Sequence, residues 1–137
     1  MAGQLTSRIL VEVADERLRQ DATWGEQNHP MLDQTLLHRE GGCTPQRMVE
    51  DYEMPSAGWM KFTVQTLAKR GELTYMHILL EEVCEAIECL DDECAMRAEL
   101  VQVAAVAVAM VECIDRKFGT APPTHTSCRT RSHCFRR

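Results

Sequence analysis

From Leu100 to Val111 the chain carries one polar side chain, Gln102, in an otherwise unbroken run of Ala, Val, Leu and Met. Those residue types favour helix, and the pattern predicts a helix from about Glu93 or Ala95 to Phe118, closed by Gly119. A helix that is apolar nearly all round must be covered on every side. With 137 residues the chain has room for one domain with a real core and little for a second, so a lone bundle would struggle to supply that cover. The alanines permit close helix approach, and we expect a subunit interface, most simply a dimer, to cover one face.

The rest of the chain also reads as helix. Leu5, Ile9, Leu10, Val13 and Leu18 recur at helical spacing between charges, which predicts an amphipathic helix from Leu5 to about Asp21, ended by Trp24-Gly25. Asn28-His29-Pro30 marks a turn, because the residue before proline is biased away from the helical region. Periodicity is poor from Met31 to Pro55, where Gly41-Gly42 and Thr44-Pro45 act as punctuation; the expectation is a long, partly ordered connection with a short helix near Gln46 to Tyr52. Ser56 is placed to cap a helix from Ala57 to about Arg70, ended by Gly71. Thr74 caps the next, which runs to about Leu90 with Met76, Leu79, Leu80, Val83 and Ile87 as its apolar stripe. The expected fold is therefore all-α, a bundle of four principal helices forming one domain over residues 1–119, with a long connection over about 22–55. Residues 120–137 read as a flexible basic tail.

Chemistry concentrates on the last two helices, which flank the acidic link Asp91-Asp92-Glu93. Glu82 and Glu85 lie three residues apart on one, and Glu99 and Gln102 repeat that spacing on the other. Side chains so spaced project from adjacent turns of one helix face, roughly 5–6 Å apart. In an antiparallel hairpin centred on Asp92, Glu85 and Glu99 each stand seven residues from the centre, and Glu82 and Gln102 each stand ten. Packed axes lie about 8–10 Å apart, a gap that four such side chains can close around a cation. Oxygen-only ligands suit Mg²⁺ or Mn²⁺ ahead of zinc.

The bland alternative is a solvated acidic face. Against it stand the shared spacing and the near absence of other charge on the last helix until Glu112. A carboxylate one residue before a continuous apolar run is partly buried and needs a partner, yet Glu81 to Glu93 contains seven acids and no base. A cation is the natural answer.

Glu82-Val83-Cys84-Glu85 followed by Glu99-Leu100-Val101-Gln102 resembles the Glu-x-x-Glu and Glu-x-x-Asp motifs of the all-α nucleoside triphosphate pyrophosphohydrolases of the MazG-like superfamily. The fourth position departs from that pattern, since Gln102 offers a carbonyl oxygen without charge. The resemblance covers roughly residues 74 to 117, including His77-Ile78-Leu79-Leu80-Glu81-Glu82-Val83. Glu16-Arg17-Leu18-Arg19-Gln20 and Trp24-Gly25-Glu26-Gln27-Asn28-His29-Pro30 resemble phage-type members. The resemblance implies a Mg²⁺-dependent (or Mn²⁺-dependent) hydrolase that converts a nucleoside or deoxynucleoside triphosphate to the monophosphate and pyrophosphate; the apolar last helix leads us to expect a homodimer or homotetramer. Glu82, Glu85 and Glu99 would be the catalytic and metal-binding residues, with Gln102 assisting. The alternative is a catalytically weakened or inactive helical module, for oligomerisation or nucleotide binding, of which Gln102 is the sign.

Other residues admit two readings each. Glu81 is a spare ligand or base, or simply solvent-exposed; His77 is an auxiliary site residue, or a packing or capping histidine. Trp24 stacks on a nucleobase or anchors a loop. Lys69, Arg70 and Arg97 grip phosphate oxygens or lie idle on the surface. Cys128 and Cys134 with His125 and His133 match no standard zinc spacing, which leaves a flexible tail as the better reading.

Formal net charge is −6, and residues 120–137 hold Arg129, Arg131, Arg136 and Arg137 with no acid, so the remainder carries −10. An acidic body of this kind lacks the basic patches that hold phosphate backbones, which argues against nucleic acid as a partner. Phosphate chemistry would have to work through metal, because the sequence contains no glycine-rich phosphate loop. The seven cysteines sit mostly within helical pattern, and no secretory segment opens the chain, so the expected compartment is the reducing cytoplasm. Val103 to Val111 is about half a membrane span, and no membrane partner is expected.

Overall fold

Five helices open on a side-chain oxygen that accepts from their first turn. Asp33 accepts from the amides of Thr35 and Leu36, Thr44 from Arg47, Ser56 from Trp59 and Thr74 from His77, while Asp92 Oδ1 accepts from Ala95 N at 2.9 Å. Each cap satisfies a donor that the helix itself leaves unpaired. The computed structural model describes residues 2–118, and all regular structure among them is helical: α1 Ala2–Trp24, α2 Gln34–Leu37, α3 Pro45–Asp51, α4 Ala57–Arg70, α5 Tyr75–Glu88 and α6 Glu93–Phe118. Gly119 and the tail at 120–137, with its Cys and His residues, lie outside the described residues. Gly25 and Gly71 end α1 and α4 with left-handed φ values of +69° and +71°, the conformation glycine adopts at least cost.

The four long helices are those the periodicity predicts, but they do not close around one core. Among the described residues they form an open series: α4 packs on α5, α5 on α6, and α6 on α1. Antiparallel α5 and α6 are the spine. One buried cluster, Ala57, Met60 and Cys84, joins α4 to α5. A second, Leu32, Met48 and Met96, gathers at the turn end of the α5–α6 hairpin, with Ile87, Cys89 and Leu90 packed against it.

The short helix expected near Gln46 to Tyr52 is present as α3, and the second cluster shows the rest of the connection to be more ordered than expected. The stretch after Pro30 is an ordered wedge: Tyr52 Oη accepts from Asp33 N at 2.8 Å, Arg39 pairs with Asp51, and Met48 and Val49 are fully buried. At four residues α2, which the pattern does not predict, is too short to display a helical period. The predicted stripe of α5 also needs correction. Cys84 and Ala86 are its deepest residues and Met76 stands 52% exposed, because α5 is packed from several sides by α3, α4 and α6.

α1 is anchored only near its start. Ile9 is buried, Arg8 Nη2 donates to Asp115 Oδ2 at 2.7 Å, and Thr6 Oγ1 donates to Glu112 Oε1. Beyond Leu10 the helix is almost wholly exposed up to Trp24.

Candidate metal centre

The link between α5 and α6 sets the height at which their side chains meet. Leu90 takes a left-handed φ of +56°, a strain of roughly 1–2 kcal/mol for a non-glycine residue that its packing against the Leu32–Met48–Met96 cluster helps offset. Asp92 N then donates to Cys89 O at 3.0 Å and Met96 N to Asp92 O at 2.9 Å, so α6 begins at once.

The result is a gathering of three carboxylates. Glu82, Glu85 and Glu99 each offer an oxygen, and these lie within 4.8 Å of one another. All three residues are half-buried, and none is in a salt bridge among the described residues. Burial pushes the Glu82 carboxyl above its ordinary value, and the charges of Glu81 and Glu99 add to the rise. The Glu85 carboxyl is raised in the same way, by burial first and then by Glu82, Glu99 and Glu81. Like charges held together in a partly dry site oppose ionisation; a divalent cation bound by all three would reverse that. The oxygen-only donor set and its spacing fit a hard ion such as Mg²⁺ or Mn²⁺.

The other residues singled out above are distributed as follows. Gln102, one turn beyond Glu99, is exposed, and Glu99 stands opposite both Glu82 and Glu85 instead of Glu85 alone. Glu81 is half-buried, and its charge acts on both neighbouring glutamates. His77 lies in the first turn of α5, its backbone N donating to the capping Thr74 Oγ1 and its Nδ1 2.6 Å from that oxygen. Lys69 and Arg70 are exposed at the far end of α4, and Arg97, two residues before Glu99, projects from a different face of α6 and is exposed. Trp24 is 64% exposed, while Asn28, His29 and Pro30 line a cleft with Leu90, Asp91 and Glu93 at the hairpin turn. Glu88 has a structural task, accepting from Ala57 N at 3.2 Å to tie α4 to α5.

One base escaped the sequence reading. Lys61 on α4 is the cation whose charge reaches Glu85 and partly counteracts the rise in its carboxyl pKa. The signal was available in the α4–α5 hairpin. A centre between Glu72 and Leu73 sets Ala57 opposite Glu88 and Lys61 level with Cys84 and Glu85, the construction already applied to α5 and α6.

No protein-family model, no curated protein and no solved structure matches this chain.

Proposed function

We propose that this protein is a Mg²⁺-dependent nucleoside or deoxynucleoside triphosphate pyrophosphohydrolase of the MazG-like kind. The observation that carries the proposal is the convergence of Glu82, Glu85 and Glu99 within 4.8 Å, half-buried and without a salt-bridge partner among the described residues. When bound there, Mg²⁺ would neutralise phosphate charge and polarise the phosphorus–oxygen bonds. In the reaction a water oxygen bonds to the α-phosphorus, the bond to the bridging oxygen breaks, and pyrophosphate departs with that electron pair. A carboxylate of the trio not fully used in coordination takes the water's proton. Glu82→Gln and Glu85→Gln are each expected to reduce Mg²⁺-dependent pyrophosphate release by about 100-fold or more, across a panel of triphosphates, with helical content unchanged. Turnover equal to wild type in both variants would defeat the assignment.

A second reading rests on Gln102, the uncharged residue at the fourth position. There the bundle serves as a non-catalytic module for assembly or nucleotide binding. The same panel separates the two, because a wild-type chain that turns over a triphosphate excludes it.

Self-association belongs to both readings. Leu10, Val101, Ala104, Ala105, Val108 and Ala109 line an apolar groove between α1 and α6. Ten large apolar side chains on these helices, from Leu10 to Phe118, stand 37–67% exposed. By length and composition α6 would also suffice to cross a bilayer. Its two ends, however, are tied by Glu99 to an acidic cluster and by Asp115 to Arg8, and we assign the groove to a second copy of the chain, in the cytoplasm.

A further inference from the structure

We propose that Lys61 holds the pyrophosphate half of the substrate, completing from α4 a site whose other polar groups come from α5 and α6. The inference rests on the reading of the acidic trio as a divalent-ion site acting on triphosphates, and assigns that site a residue outside the MazG-like motif. Three carboxylates and one divalent ion leave a net negative charge, so a triphosphate entering the site needs a further cation. None lies between Glu81 and Glu93.

Register places one on the neighbouring helix. Glu88 Oε1 accepts from Ala57 N at 3.2 Å, and Met60 is buried with Cys84. These two anchors fix antiparallel α4 against α5. Ala57, Met60, Lys61 and Val64 recur at spacings of three and four along one side of α4, as Glu81, Cys84, Glu85 and Glu88 do on α5. Lys61 therefore stands level with Glu85 at the edge of the trio. It is exposed and in no salt bridge among the described residues, and its four-carbon stem lets the ammonium swing toward an oxyanion. Lys69, Arg70 and Arg97 have no such register with the trio.

Calorimetry on the full chain tests the assignment with two probes, Mn²⁺ alone and inorganic tripolyphosphate in the presence of Mg²⁺. Lys61→Gln is expected to weaken tripolyphosphate binding about tenfold. Mn²⁺ alone should bind as well as before or slightly more tightly, since a repelling cation has been removed. In turnover KM should rise by a similar factor with kcat nearly unchanged, the mark of a contact made equally in ground and transition states, and Lys61→Arg should restore most of the loss. Tripolyphosphate affinity within twofold of wild type in Lys61→Gln overturns the role. So does an equal fall for both probes, which would indicate a structural task. A wild-type chain that takes up neither probe overturns the metal reading itself, and the role of Lys61 with it.

Discussion

The two halves of α6 carry similar apolar residues to different ends. Near the turn, Met96 is buried beneath the α3 wedge and Glu99 is half-buried against α5; the chain covers this half by itself. Farther along, Leu100, Val101, Val111 and Ile114 stand 37–55% exposed, and α1 touches the helix chiefly through Ile9, Arg8 and Thr6. The three carboxylates come from α5 and α6, at a height set by the turn that packs against the Leu32–Met48–Met96 cluster. The distal half is left to water by its own chain, and on the proposed reading a second copy would cover it. The two halves are therefore expected to respond separately to mutation.

The largest separate effect should come from Val101→Asp. Val101 is already exposed within one chain, so the helix should persist, but a carboxylate sealed into an apolar interface carries a penalty of about 3 kcal/mol, roughly a hundredfold in dimer affinity. Light scattering should report a monomer at concentrations where wild type is dimeric; an unchanged mass would break the division between the halves. Asp115→Ala should act next in size. It removes the buried carboxylate that Arg8 contacts and should destabilise the chain by about 1–3 kcal/mol, read as a lower melting temperature with earlier proteolysis of α1, while Mn²⁺ uptake by the trio survives.

The smallest effect is a pH dependence confined to the turn-proximal half. Burial first, then neighbouring charge, raises the Glu82 and Glu85 carboxyls above 4.5. A carboxyl raised on folding binds its proton more readily in the folded than in the unfolded state. Without metal, stability therefore rises as pH falls through the raised values and gains nothing further from these groups below 4.5, the reverse of a salt-bridged carboxylate. Melting temperatures near about pH 5 should exceed those near about pH 8 by more in wild type than in a Glu82→Gln, Glu85→Gln double variant. Equal differences in the two proteins would contradict it.

Much of this was legible in the residues. Ser56, Thr74, Gly25 and Gly71 announce helix boundaries because their chemistry is local, and they hold in the structure. The mirror placement of Glu85 and Glu99 about a short link required only helix geometry. What stayed hidden depends on contacts distant in sequence. Nothing local to Met48 or Val49 says that a four- and a seven-residue helix will wedge under the hairpin turn, and nothing local to Lys61 points to Glu85 until α4 and α5 are set in register. The mirror argument paired Glu99 with Glu85 alone, whereas Glu99 meets both Glu82 and Glu85, because side chains of this length reach across more than one turn of the facing helix.

A calorimetric titration of the wild-type chain with Mn²⁺ at neutral pH, repeated on the Glu82→Gln, Glu85→Gln double variant, asks the central question most directly. The account predicts saturable uptake by wild type, weakening as acid restores protons to the carboxylates, and none by the variant. Absence of saturable uptake in wild type, or the same isotherm in both proteins, would contradict it.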